Sequence, residues 1–480
     1  MNKGISEVNR IVLEKITPTA ADRAKNEKIA RDLVLRVSTV CEELGVKAVV
    51  RVEGSLAKDT WLKEDPDVDI FMRLPKSIPR KTLGEWALKI ARRATQGAKQ
   101  VERFAEHPYL EAFVDNVRIN VVPCYDVKPG EWLSATDRTP FHTDYINSHL
   151  EKKLRAEVRL LKQFMKGIGV YGAEIKVGGF SGYLCELLVL HYGSFKEVLE
   201  TFAKHRPRRI VDIEGYYDER QRDLDLLFSE PLIVVDPVDR ARNVASAVQA
   251  HKLHTFVAAS WIFLKEPNTD LFYPLATHPL SVEELCETLR ARGSSLVFLT
   301  FGKIDAVPDV LWGQLYRTRK ALRKQFELAE FRVLRDAIWT EANAEVLIFV
   351  FEIEQRALAG VRKHVGPPLE FGMECESFLE KYLDSDDVVA GPFIDNGRWM
   401  VELRRRFIDA GEFLMAKVTS GGREIGVADL IAKAMNKDFL VLVGEDITEH
   451  YIYNNGFAAF LTDFLSGKPF WLETKCKRAN

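Results

Sequence analysis

The stretch from Gly54 to Phe71, GSLAKDTWLKEDPDVDIF, constrains this chain more than any other. Val68 to Leu74 reads as a strand that Pro75 stops. Strand side chains alternate between faces, so Asp67 and Asp69 project from the same one. Two carboxylates placed this way suit Mg²⁺, which is commonly held by one or two carboxylates plus substrate phosphates. Paired ions there stabilise both the attacking and the leaving oxygen of an in-line displacement at phosphorus. Taken alone, such a pair is more often two solvated acids beside a turn. Gly54 and Ser55, just upstream, narrow the reading. A glycine lets backbone approach a phosphate, and a serine opening a short helix offers a hydroxyl and an N–H to an anion. The plainer alternative is a tight turn with a serine cap. Lys58, one turn on, can reach the same anion. Together the pieces point to nucleotidyl transfer.

Around this stretch the first 125 residues read as a small mixed α/β unit. Apolar residues recur at helical spacing from Ile5 to Leu44, and Val46 to Val52 is β-branched. A helix is expected from Lys81 to Arg103, followed by a hairpin, Tyr109 to Val114 and Val117 to Pro123, about Asp115-Asn116. Past DRTPFHTD the pattern turns helical, with Leu150 to Met165 and Gly182 to Leu199 as the clearest segments. After Pro267 come a helix, Val282 to Arg292, strand Ser295 to Phe301, basic helix Leu311 to Ala329, and strands Phe331 to Trp339 and Glu345 to Phe351. That β-α-β-β order predicts a ferredoxin-like sheet with helices on one face. The remainder mixes Gly-Pro breaks, short helices and a late strand, Phe439 to Val443.

Length and composition add bounds. With 480 residues, 46% hydrophobic and 29% charged, the chain is an ordinary globular protein of about three domains. Its net charge is −2, so any grip on an acidic partner comes from local patches. The six cysteines lie far apart with no zinc spacing, which predicts a reducing compartment. The start, MNKGISEVNRIVLEKI, is no signal peptide and no run approaches a membrane span, so a cytoplasmic protein without membrane contact is expected.

The Gly54 to Phe71 stretch resembles the DNA polymerase beta nucleotidyltransferase superfamily, and within it the archaeal, class I CCA-adding tRNA nucleotidyltransferases. The likeness continues through VVPCYDV (Val121 to Val127), DRTPFHTDY (Asp137 to Tyr145), LLKQFMKGIGVYGAEIKVGGFSGYLCELLVLHYGSF (Leu160 to Phe195) and VDPVDRARNVA (Val235 to Ala245). It implies an α+β multidomain fold. A polymerase-beta-like catalytic head occupies 1–149, a helical central domain 150–266, a ferredoxin or RRM-like RNA-binding body 267–365 and a mixed tail 366–480. It implies template-independent addition of CCA to the 3′ end of tRNA from CTP and ATP, with two Mg²⁺ ions. Oligomeric state is left open, a dimer among the alternatives. A poly(A) or other terminal nucleotidyltransferase is the nearest rival function.

Carried over by position, the resemblance makes Asp67 and Asp69 metal ligands and places Gly54, Ser55 and Lys58 at the triphosphate. His142, Lys162 and Tyr171 fall where the family contacts triphosphate and sugar, and Arg242 where it helps select the incoming base. On their own these four read as a turn histidine, a solvated lysine, a half-buried aromatic and a cap arginine. The family's third carboxylate matches Asn120, and an amide can neither accept the attacking hydroxyl's proton nor bring charge to a metal. Asp115 and Asp126 do not replace it. Asn120 therefore marks an engineered or otherwise inactivated form, with a slow enzyme and a non-catalytic tRNA-binding relative as alternatives.

For RNA, Arg317, Arg319, Lys320, Arg323 and Lys324 gather five cations within eight residues. Arg317, Lys320 and Lys324 share a helical face that can track phosphates, although a charge run is commonly just a solvated face. Arg404 to Arg406 and Lys475, Lys477 and Arg478 are weaker candidates.

Overall fold

The computed structural model describes residues 4–472 apart from 105–106, 205 and 342–343. Lys475, Lys477 and Arg478 lie outside the described residues. One compact unit spans Met1–Leu275 and takes in the chain again from Phe470; the other is Ala276–Pro469. Among the described residues no helix is long and apolar enough to cross a membrane.

The first unit opens with α1 (Ile5–Ile16) and α2 (Ala20–Glu43), followed by β1 (Val49–Glu53), the single turn α3 (Gly54–Ala57), β2 (Asp67–Pro75) and α4 (Arg80–Ala94). Strands β3 (Lys99–Phe104), β4 (Pro108–Val114) and β5 (Val117–Asp126) complete a five-stranded sheet of order β1-β2-β5-β4-β3. Only the β2–β5 pair is parallel. Alternation sorts the side chains: Val68, Ile70, Met72, Ile119 and Val121 face α2 and α4 in one core. Asp67, Asp69, Arg118 and Asn120 are left on the opposite face. The expected hairpin turns at Asp115 and Asn116, both with positive φ as a two-residue type I′ turn requires.

The expected helix to Arg103 ends nine residues early, at Ala94. Thr95 turns its hydroxyl back to Ala91 O (2.8 Å), and Gln100 Nε2 donates to Arg92 O and Thr95 O, closing the helix end. Lys99–Phe104 then joins the sheet as its edge, paired to β4.

Helices α5 (Thr139–His149), α6 (Leu154–Gly167), α7 (Gly182–Tyr192), α8 (Phe195–Ala203) and α10 (Ala250–Lys265) build a second core. Between α8 and α10 lie β6 (Arg209–Val211), α9 (Gln221–Leu227), β7 (Leu232–Asp236) and β8 (Asp239–Asn243). Val8, Val12 and Ile16 of α1 pack into this helical core, as does Trp471. The expected continuous helix Gly182 to Leu199 is two: Gly193 takes φ +91°, where a side chain is strained, and the Ser194 hydroxyl caps α8 through Glu197 N.

In the second unit come α11 (Val282–Ala291), β9 (Ser295–Gly302), α12 (Pro308–Leu328), β10 (Val333–Thr340) and β11 (Val346–Ile353). They are followed by β12 (Val361–Pro368), α13 (Gly372–Tyr382), β13 (Val388–Asp395) and β14 (Arg398–Arg404), whose strands make a separate sheet. The chain returns through α14 (Ala410–Val418), α15 (Asp429–Met435) and β15 (Phe439–Val443), then α16 (Thr448–Tyr453) and α17 (Asn455–Ser466). The main sheet runs β10-β11-β9-β15, all antiparallel, which is ferredoxin order with the fourth strand drawn from the segment expected as tail. Helices cover both faces, not one. Val297, Leu299 and Phe301 pack with α12, α14 and α15, while Leu296 and Phe298 pack with α11, α16 and α17. A run that is apolar at consecutive positions has two faces to bury.

Candidate active site

On the acid-bearing face of the first sheet, register puts Asp67 beside Arg118 and Asp69 beside Asn120. Arg118 Nε donates to Asp67 Oδ1 at 2.7 Å and its Nη2 bonds Oδ2, a two-pronged grip. Asn120 Nδ2 donates to Asp69 Oδ1 at 2.9 Å, the only way an amide can meet an acceptor-only carboxylate. Burial raises both aspartates, with Arg118 opposing it at Asp67 and Asn120 at Asp69. Gly54 sits against Asp69: with φ +71°, a Cβ there would meet Asp69 Oδ2 at 2.0 Å. The turn can approach this carboxylate only because residue 54 lacks a side chain. Ser55 is half-buried on that turn, and its carbonyl accepts from Thr60 N.

The expected phosphate-binding lysines are not solvated. Lys58 and Lys162 are buried at 6% and 2% exposure, and both bond the fully buried Glu186 of α7, at 2.5 Å and 3.2 Å. Lys162 also reaches Thr60 Oγ1 at 3.0 Å, and that hydroxyl donates to Glu186 Oε1. Burial alone would raise the Glu186 carboxyl; the two ammonium groups outweigh it and hold it down to about 2. A Cβ on Gly182 would meet Tyr171 Oη at 3.0 Å and Lys162 Nζ at 3.4 Å, so Tyr171 borders the same cluster.

His142 and Arg242 meet at Asp236, which ends β7. His142 Nε2 lies 2.9 Å and Arg242 Nη1 2.6 Å from Asp236 Oδ2. The His142 ring stacks on Tyr183 at 4.0 Å between centroids, and Lys58 Nζ lies 5.5 Å from the Tyr183 centroid. Burial lowers His142, with Asp236 opposing it. Tyr183 thus links the histidine cluster to the lysine cluster. Glu186, Asp236, Tyr183 and Arg118 went unremarked in the sequence. A lone acid inside the apolar run GYLCELLVL is the signal that could have found Glu186, since such an acid needs a buried cation.

On α12, Arg317, Lys320 and Lys324 are exposed together, while Arg319 and Arg323 turn aside to Asp336. Arg405 is ion-paired to Glu330 beside Arg404 and Arg406.

Residues 35–142 match a family model described as nucleotidyltransferase domain, 156–273 one described as tRNA nucleotidyltransferase, second domain, and 292–444 one described as CCA-adding enzyme, C-terminal domain. A CCA-adding enzyme of Methanosarcina barkeri is 37% identical over 417 residues, 86% of this chain and 89% of that protein. The chain belongs to the CCA-adding enzymes. Another member, from Haloarcula marismortui, is 34% identical over 471 residues, covering 95% of this chain and 98% of its own. Members are tRNA nucleotidyltransferases, and the head here is a nucleotidyltransferase fold. Among solved structures, a poly(U) polymerase matches 56% of the chain at 17% identity and a TM-score of 0.41, a score that carries nothing about activity.

Proposed function

We propose that this protein adds C, C and A to the 3′ end of tRNA from CTP and ATP, with turnover depressed by Asn120. The observation that carries this reading is the Gly54 turn packed against Asp69, in a member of the CCA-adding enzymes. In the reaction the tRNA 3′ hydroxyl attacks the α-phosphate in line and pyrophosphate leaves. The open backbone at Gly54 and the Ser55 hydroxyl take the triphosphate, and Lys58 and Lys162 bring positive charge beside it. Tyr171 and His142 border the sugar, and Arg242, anchored by Asp236, meets the incoming base.

The donor set fits one divalent ion carried by the nucleotide, since two carboxylates share a face beside the Gly54 turn. Held by Asp67 and Asp69, Mg²⁺ would lower the pKa of the attacking hydroxyl and offset charge on the leaving oxygens. Arg118 must yield Asp67 for this. A second ion lacks a charged ligand at Asn120, and a missing base or ligand of this kind typically costs about 10² to 10⁴ in rate.

Incubating tRNA lacking CCA with CTP, ATP or both tests the reading. Addition that needs both nucleotides and stops at three residues supports it; a long A tract rejects it in favour of a poly(A)-type activity. Asn120 also favours a second reading, a non-catalytic tRNA-binding protein. A rise of more than about a hundredfold on Asn120→Asp eliminates that alternative.

A further inference from the structure

Between the Gly54 turn and Asp67 runs a connecting segment, 58–66, that belongs to neither α3 nor β2, and α6 holds it along its length. Arg155, Arg159, Lys162 and Lys166 recur on that helix at four- and three-residue spacing and so share one stripe. Arg159, 3% exposed, donates from Nη2 to Asp59 O at 2.5 Å and to Asp59 Oδ1 at 2.7 Å, and from Nε to Trp61 O at 3.0 Å. Lys162 Nζ donates to Thr60 O at 3.2 Å, so side chains of α6 take three successive carbonyls of the segment. Arg155 lies 3.5 Å from Asp59 Oδ2, Arg23 of α2 bonds Asp59 Oδ1, and Lys166 ties down Asp65, two residues before Asp67. Asp59 turns the backbone with φ +51°, a left-handed conformation that aspartate tolerates better than most residues with a side chain. Lys58 and Thr60, on either side of that turn, reach the two oxygens of one carboxylate, Glu186.

We propose that Arg159 is a positioning residue for nucleotide binding: by fixing the left-handed Asp59 it holds Lys58 where the triphosphate is received. This rests on the reading of Lys58 given above. Lys58 is the residue that closes the Gly54 turn, and its charge acts on Asp69, so the residue that Arg159 sets lies next to the one that meets the phosphates. The guanidinium matters as well as the charge. A lysine at 159 keeps the charge but loses the planar fork that serves two carbonyls and a carboxylate at once. Carbonyls left without a donor in a buried place favour another path for the segment, and Lys58 moves with it.

Calorimetric affinities for CTP and CMP, both with Mg²⁺, separate this role from a general loss of structure, because CMP lacks the two outer phosphates yet needs the same fold. Arg159→Lys should weaken CTP at least about tenfold and CMP less than about twofold. Asp59→Gly and Asp59→Ala both remove the carboxylate, but only glycine accepts the left-handed turn freely. CTP affinity should therefore fall about threefold with Gly and about tenfold with Ala. In a Lys58→Met background, itself weak for CTP, Arg159→Lys should add less than about twofold, as expected of a residue acting through Lys58. Unchanged CTP affinity on Arg159→Lys overturns the proposal. So does an equal loss for CTP and CMP, or an effect of Arg159→Lys that persists undiminished without Lys58. Should Arg159→Lys not fold, the two changes at Asp59 decide, and Ala no weaker than Gly overturns it. If Lys58→Met binds CTP as the parent does, the reading of Lys58 fails and the proposal falls with it, while three-residue addition to tRNA by that variant leaves the CCA-addition reading standing.

Discussion

Two groups of cations in this molecule obey different physics. Lys58 and Lys162 are buried against one carboxylate, Glu186, whereas Arg317, Lys320 and Lys324 stand exposed on α12. A buried charge that loses its partner pays for desolvation with nothing in return, so each member of the first group is needed by the others. Exposed charges contribute little to folding and act on a distant polyanion through the number of phosphates they neutralise. One group fixes positions; the other, on the proposed reading, adds affinity for tRNA.

The sharpest way to break this contrast is Glu186→Gln. Leaving two buried ammonium groups without their carboxylate should cost about 3–5 kcal/mol, read from urea unfolding. A loss under about 1 kcal/mol would place the lysines in the solvated class. The acid limb gives the same contrast a pH dependence. Glu186 is held from its ordinary 4.5 down to about 2. A carboxyl lowered on folding stabilises above its unfolded value, and that contribution is lost as pH falls through the folded one. The parent should therefore lose stability between about pH 4.5 and 2, and Glu186→Gln should flatten that limb.

Next in size is the pair Asp67→Ala, Asp69→Ala. The parent should bind CTP and ATP in an Mg²⁺-dependent way despite Asn120, because the travelling ion draws much of its shell from the nucleotide. The double variant should lose that dependence in calorimetric titrations with and without Mg²⁺. Unchanged metal dependence would show that these aspartates are not the ligands. The smallest effect on the fold belongs to α12. Replacing Arg317, Lys320 and Lys324 with Ala should move stability by no more than about 0.5 kcal/mol. It should flatten the salt dependence of tRNA binding by about one unit of slope per contact. An unchanged slope returns that helix to a solvated face.

What could be read in the sequence follows the same division. Asp67, Asp69 and the Asp115-Asn116 turn announce themselves through local spacing, and the structure places them on one face and at a hairpin as expected. Strand Lys99–Phe104 did not, because its charged and apolar residues also fit a continued helix and only pairing with β4 decides between them. The roles of Glu186 and Asp236 were hidden for a different reason. Their meaning comes from Lys58 and His142, more than ninety residues away in the chain. The second face of the main sheet in the other unit could have been suspected from Leu296 to Phe301, an unbroken apolar run.

Trp471 carries a consequence for synthesis. It fills part of the helical core whose other members end near Phe272, and nearly two hundred residues of the second unit separate the two. At about 5–20 residues per second, a ribosome finishes the first core's last side chain some 10–40 s after the rest of it has been made. For that interval the nascent core has an open slot where an indole belongs. The last segment acts as a late-arriving bolt, and a chain released before residue 471 should be the form that chaperones and proteases find.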